Sequence, residues 1–399
     1  MKRTVTTILA LTIFISLATP CTSVIISGKH TPDGRPLMWK HRDTQAFDNK
    51  LVFINDGKYN AIALVNSDDP DAGKIWIGFN SAGFSIMNTL SYNIEGDGAN
   101  NGSFMREALT ECETVEDFER FIEDYPQPRN VRSNFGVIDA QGGAAFFETG
   151  HYTYTRFDAD DKRVAPHGYI VRTNFSFDGE MNEGAGYIRF GTAEKMFYKA
   201  SGEGKLSLQF LLEEALISLE NSLTGQNARE NMLPAGQENY MYFQDFINRF
   251  TSTSSLVVQG VKEGESPLLT TMWSMVGFPL GSVAIPVWLT PGGHLPETVT
   301  APGIENSEIC DFSLEVKKKM IPSRRGSTQY YINTTKAFNA DNTGITQQLL
   351  EVTRNIYNMT AEKTGQWQTD GKPNENEVRS LYNSFDLMVR EAYGKILGE

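Results

Sequence analysis

The sequence is poor in the residues that most often announce chemistry. It holds three cysteines and five histidines among 399 residues. The histidines (His30, His41, His151, His167 and His294) are scattered without ligand spacing, so no metal and no other cofactor is expected. GxGxxG, Walker-loop and GxSxG patterns are missing, which removes the usual marks of dinucleotide, nucleotide and serine-hydrolase chemistry. Basic residues are outnumbered, 36 Lys and Arg against 49 Asp and Glu, for a net charge of −13. A nucleic-acid partner would want a basic face, so none is expected. Past the first twenty residues no stretch is long and apolar enough to span a membrane. Cys112 and Cys310 are far apart in sequence; a disulfide between them and a pair of buried thiols are both open readings.

What is present begins with a leader. Lys2 and Arg3 precede an apolar run from Ile8 to Leu17 and then small residues, the pattern of a secretory signal over 1–20. Its removal takes away Lys2 and Arg3 and no acid, moving the net charge from −13 to −15. Cys21 then becomes the mature N-terminus. Such a cysteine carries a thiol nucleophile and, in its α-amine of reference pKa about 7.7–8.0, a base for the thiol proton. Two other readings stay open. Cys21 could be a lipid-anchored residue, although Ala18-Thr19-Pro20 fits that signal poorly. Cleavage after Ala18 would instead leave Thr19-Pro20 ahead of the cysteine. Each reading places the protein in an exported, periplasmic or extracellular, compartment.

Residues 22–27 read as a strand, Thr31-Pro32-Asp33-Gly34 as a turn, and 36–42 as a second strand. Folding this hairpin about residues 32 and 33 sets residue 21 opposite residue 44, so Asp43 lands beside Cys21. Arg42 comes next, and Lys40 shares its sheet face by the two-residue period. A thiol, an amine, a carboxylate and cations thus meet from local sequence alone. The carboxylate would hold the amine; a cation would favour the thiolate.

Cys21-Thr22-Ser23-Val24-Ile25-Ile26-Ser27-Gly28, followed by Asp33-Gly34-Arg35-Pro36-Leu37-Met38-Trp39-Lys40-His41-Arg42-Asp43, resembles the opening of N-terminal nucleophile (Ntn) hydrolases. The branch resembled contains choloylglycine hydrolase, penicillin V acylase, acid ceramidase and the cysteine dipeptidases. It also contains the acyl-coenzyme A:6-aminopenicillanic acid acyltransferases with the carcinine hydrolases. These families follow Cys-Thr with Arg-Asn-x-Asp; here Lys40 stands at the arginine and His41 at the asparagine, which leaves Lys40 and Arg42 as alternatives for the arginine's part. Gly78-Phe79-Asn80-Ser81-Ala82-Gly83-Phe84 is similar to a family strand pair, and Asn88 is the nearest candidate for an oxyanion contact. Gly168 to Phe177, with Thr173-Asn174, resembles the strand whose asparagine lies near the scissile amide. Removing one such donor typically costs about 100- to 1,000-fold in rate. The arginine that choloylglycine hydrolases supply later has no counterpart in frame, Arg249 being close. The resemblance covers about residues 21–290.

It implies an α+β, four-layer α-β-β-α sandwich of two antiparallel sheets. Over 104–125 the spacing predicts helix broken near Glu113-Thr114; it predicts helix again at 205–222, 341–362 and 374–396, and strands at 134–149, 167–177 and 252–290. The expected organisation is a catalytic domain over 21–300 with a helical extension, 301–399, packed on it. The resemblance implies cleavage of a linear amide in a small-molecule substrate through a thioester on Cys21. Asp43 would orient the amine, Arg42 or Lys40 polarise the site, and Asn174 with Asn88 stabilise the oxyanion. Acyl transfer and dipeptide cleavage use the same nucleophile. A lipid-anchored binding protein is the reading from another class, and self-association is left open.

Overall fold

The computed structural model describes residues 20–322 and 326–398; the expected leader, up to residue 19, lies outside them. Runs rich in β-branched and aromatic residues, separated by Gly, Pro and Asn, form two antiparallel sheets. The first, of six strands, runs β10 (Tyr169–Arg172), β1 (Thr22–Ile26), β2 (Leu37–Asp43), β14 (Ser252–Gln259), β15 (Thr271–Val276) and β16 (Ile285–Val287). The second, of seven, is a meander in chain order: β3 (Asn49–Ile54), β4 (Ala61–Asn66), β5 (Ile77–Asn80), β6 (Ser85–Leu90), β7 (Ser133–Ile138), β8 (Ala144–Thr149) and β9 (Tyr154–Asp158). Two short ribbons pair β11 (Glu220–Asn221) with β12 (Gln226–Asn227), and β13 (Tyr240–Tyr242) with β17 (Tyr331–Asn333).

The strand period sorts side chains into layers. On β4, Ile62 and Leu64 join the core between the sheets, whereas Ala61, Ala63 and Val65 pack outward. That outer face is covered by α1 (Asn101–Glu111) and α2 (Val115–Asp124), which bury Phe104, Leu109, Phe118 and Ile122 against Phe135 and Phe147. The break between these helices is a capping box, in which Thr114 and Asp117 satisfy each other's backbone N–H groups. The outer face of the first sheet is covered by α3 (Tyr187–Gly202), α4 (Leu208–Phe210), α5 (Glu308–Met320), α6 (Thr334–Ala337), α7 (Ile345–Asp370) and α8 (Glu375–Leu397). The result is the four-layer α-β-β-α sandwich. No helix among the described residues is long and apolar enough to cross a membrane.

Several local expectations need correction. The β1–β2 register pairs Thr22 with His41 and Ser23 with Lys40, which sets Cys21 opposite Arg42 rather than residue 44. The cause is a 3-10 turn at Gly28–His30, begun by the Ser27 hydroxyl accepting from the Lys29 N–H. It draws residues from the first arm and moves the pivot one residue earlier. The expected helix over 205–222 is one α-turn that widens at Leu211–Ala215, where the Leu216 N–H donates to the Leu211 carbonyl, and then gives way to β11. Helix α3 and strand β9 have no counterpart among the expected elements, and α5 falls within the expected helical extension but ahead of its two expected helices. Cys112 and Cys310 are free and buried in different cores; burial pushes each thiol up to about 12.

Candidate active site

Between the sheets, at one end of β1, Cys21 lines a cavity of about 390 Å³ together with Lys40, Arg42, Asp43, Trp76, Asn88 and the 97–102 segment. The register explains the gathering. Cys21, Ser23, Lys40 and Arg42 share the inner face, where Ser23 meets Thr89 of β6. Lys40 crosses to the same strand, donating to the backbone carbonyl of Asn88 and, at 2.9 Å, to its Oδ1. The Asn88 amide nitrogen donates to Ser133 Oγ at 3.1 Å. Burial lowers Lys40 to about 8, against the attraction of Cys21.

Asn174 lies just past β10, and its Oδ1 accepts from the Cys21 nitrogen at 2.9 Å. Its amide nitrogen donates to the Leu90 carbonyl at 2.7 Å. The sequence reading cast this side chain as an oxyanion donor; its contacts make it first the acceptor that fixes the nitrogen of Cys21. Arg189, which the sequence reading missed, completes the grip from α3. Its guanidinium donates to the Cys21 carbonyl, to Thr22 Oγ1 at 3.0 Å and to Asn174 Oδ1 at 2.7 Å. Burial, and then the charge of Arg249, push its pKa down. Helical spacing of Phe190, Ala193, Phe197 and Ala200 was the available signal for α3.

Asp43 also lines the cavity, but its oxygens are taken. Arg249 donates to Oδ2 at 3.0 Å and Ser252 to Oδ1 at 2.7 Å, so the holding of the Cys21 nitrogen that sequence gave to Asp43 is seen at Asn174 instead. Arg249 is the arginine that looked out of frame; a bulge in β14 between Ser252 and Ser254 shifts the register beside it. On the outer face His41 links two serines. Trp39 Nε1 donates to Ser255 Oγ at 2.9 Å, Ser255 reaches His41 Nδ1 at 3.3 Å, and His41 Nε2 lies 2.8 Å from Ser252 Oγ. An indole only donates and a carboxylate only accepts, so the chain runs one way, with the proton on Nε2. Burial lowers His41 to about 4, which keeps it neutral.

Arg42 points elsewhere on the inner face. It donates to Asn49 and, at 2.8 Å, to Asn66 Oδ1, with Trp76 stacked 4.5 Å from its guanidinium carbon. Both candidate cations therefore flank Cys21, Lys40 toward β6 and Arg42 toward β3 and β4. Among the described residues no group of three or more His, Cys, Asp or Glu could hold a metal ion.

Among solved structures, penicillin V acylase from Agrobacterium tumefaciens is 13% identical, covering 68% of this chain and 87% of its own, with a TM-score of 0.40. A point mutant of conjugated bile acid hydrolase from Clostridium perfringens is 12% identical, covering 69% and 93%, with a TM-score of 0.43. The N-acylethanolamine-hydrolyzing acid amidase ortholog of Caenorhabditis elegans is 13% identical, covering 62% and 93%, at 0.34. Among curated proteins no relative matches. The family profile of acyl-coenzyme A:6-aminopenicillanic acid acyl-transferase matches residues 53–278, more than half of the chain, a span that takes in Asn88, Asn174, Arg189 and Arg249 but starts after Asp43. On that match, and with its two-sheet sandwich, the chain belongs to the acyl-coenzyme A:6-aminopenicillanic acid acyl-transferase family of the Ntn hydrolase superfamily.

Proposed function

We propose that the protein is an exported amide-cleaving enzyme whose nucleophile is the thiol of Cys21, exposed when the bond after Pro20 is cut. The observation that carries this is the grip on Cys21 itself, with its nitrogen on Asn174 Oδ1 and its carbonyl on Arg189 while the residue lines the cavity. Freed as an α-amine, that nitrogen takes the thiol proton as sulfur attacks the substrate carbonyl, and returns it to the departing amine as the C–N bond breaks. Water then hydrolyses the thioester. Lys40, charged below about pH 8, favours the thiolate. Arg249, Ser252 and His41 hold Asp43 in one orientation at the cavity wall. Linear amides of small molecules, N-acyl amines or N-acyl amino compounds, are the substrate class.

The acyl transfer for which the family is named favours a second reading, in which an amine rather than water takes the acyl group. The two share every step up to the thioester and differ in what reaches it.

The test is intact mass and N-terminal sequencing of the purified protein, followed by amide turnover in Cys21→Ala. A chain beginning at unmodified Cys21, and a folded Cys21→Ala without turnover, are expected. Full amidase activity in Cys21→Ala would remove the nucleophile from this account. Adding a primary amine during turnover separates the two readings: a new amide product marks acyl transfer.

A further inference from the structure

The proposed reaction needs one cation beside the thiol, and Lys40 supplies it. Arg42 is a second buried cation in the same cavity, and its partners are neutral: two asparagine side-chain oxygens and an indole face. Asp43, the nearest carboxylate on its own strand, is paired with Arg249 instead. Neither Lys40 nor Arg42 forms an ion pair among the described residues. A buried charge without a counter-ion is costly unless a ligand supplies one. Here the surroundings add to the imbalance. Lys74 lines the cavity, packed so closely over Gly102 that an added Cβ would lie 2.7 Å from its own Cβ. Asn101 and Gly102 open α1 onto the same space; the first turn of α1 has no acidic residue, and Asp97 just before it accepts from the Ala99 N–H. Buried Lys40 and Arg42 and the exposed Lys74 thus share the cavity with Asp97 and the already paired Asp43, and Asp68 attracts Arg42 without pairing to it. A thiolate at Cys21 offsets one positive charge and leaves a surplus, in a chain whose net charge is −13.

The geometry points to an amide substrate that itself carries a carboxylate, bound by Arg42 with Lys74 at the edge of the site; this rests on the assignment of Cys21 as nucleophile. Asn49 and Asn66 each take one terminal nitrogen of the guanidinium and Trp76 fixes its plane. The fork is thereby oriented before any ligand arrives, which is where arginine surpasses lysine for a planar anion. Amides of amino acids and half-amides of dicarboxylic acids both have the required chemistry, with the carboxylate on the leaving amine or on the acyl group.

Two small alkylating reagents isolate the charge from the rest of the substrate. Iodoacetate and iodoacetamide both alkylate sulfur with loss of iodide, and only the first is an anion. Rates are measured at Cys21 of the processed protein by mass, and their ratio is compared with that for free cysteine. The expected ratio is raised about tenfold over free cysteine. It should fall to the free-cysteine value in Arg42→Gln and stay raised in Arg42→Lys. Asn66→Asp, which leaves the arginine in place and gives it a carboxylate, should lower it as well; this serves if Arg42→Gln does not fold. Rapid iodoacetamide labelling with a ratio equal to that of free cysteine would overturn the anion site while leaving the nucleophile standing. A raised ratio indifferent to both Arg42→Gln and Asn66→Asp would overturn the assignment to Arg42. Labelling by neither reagent would overturn both readings. Matched substrates, N-hexanoylglycine against its glycinamide and the adipoyl mono-anilide against the hexanoyl anilide, then tell which side bears the charge.

Discussion

Lys40 is a buried ammonium that replaces the arginine usual at its place in the resembled motif, and this single exchange has a consequence in pH. Burial lowers it to about 8 from 10.5, whereas a guanidinium at the same place would stay charged throughout the working range. As pH rises through about 8, one of the two cations flanking Cys21 is lost, so kcat/KM should fall on the alkaline side with a limb near that value. Lys40→Arg should move the limb upward by at least one pH unit; a limb that does not move would assign it to another group. Stability has the opposite sign. Between about 8 and 10.5 the unfolded chain keeps the Lys40 proton that the folded protein has released, so the unfolded state binds more protons and this group's contribution to stability rises with pH. Activity and stability should therefore separate above pH 8. A general loss of structure would move both down together, and thermal denaturation beside the kinetics tells the two apart.

At the scale of elements, the site depends on how α3 begins. Gly186, its N-cap, has φ +87°, and a Cβ there would lie 2.3 Å from Arg189 Nη2. The left-handed backbone and the space are both needed for the guanidinium to reach Asn174 and the Cys21 carbonyl. Gly186→Ala should cost about 1–3 kcal/mol in stability and, by displacing the grip on Cys21, about 100-fold in kcat, with a far smaller change in KM. A variant that is destabilised yet fully active would show that Arg189 serves only the fold. This dependence also marks the limit of what the sequence made legible. The strand that follows Cys21, the capped break at Thr114 and the two tail helices follow from period and local chemistry, which neighbouring residues determine. Arg189 does not, because it meets Cys21 across 168 residues and only after α3 has docked on the first sheet. The hairpin register was missed for a similar reason: Thr31-Pro32-Asp33-Gly34 reads as the turn, yet the 3-10 turn at Gly28–His30 moves the pivot. A bulge in β14 likewise hid Arg249, since fixed spacing assumes an unbroken ladder.

For the whole molecule, the question is whether the tail after residue 300 is a separate unit or the cover of the first sheet. Trp288, just past β16, is enclosed by it: Trp367 of α7 meets the indole edge to face at 5.2 Å and Tyr382 of α8 stacks at 6.1 Å. Tyr382 Oη also accepts from the backbone N–H of Trp288 at 2.9 Å. Asp386 of α8 accepts from the N–H groups of Glu297 and Thr298, and Tyr393 Oη donates to the Gly281 carbonyl at 2.6 Å. Trp288, Trp367, Tyr382 and Tyr393 belong to the same buried cluster as Val24, Trp39 and Trp273. A tail with its own core would unfold on its own; one that completes another's core has no reason to, because its apolar face would be left in water along with the sheet's. Calorimetry should accordingly show one transition for the protein. Trp367→Ala should destabilise by about 3–5 kcal/mol, the range for deleting a large buried aromatic, and should lower that transition as a whole. A second transition, shifted alone by Trp367→Ala, would instead make the tail an independent domain. Cys21 of a folded Trp367→Ala should then still react with iodoacetamide, since α7 covers the outer face of the sheet while Cys21 opens between the sheets.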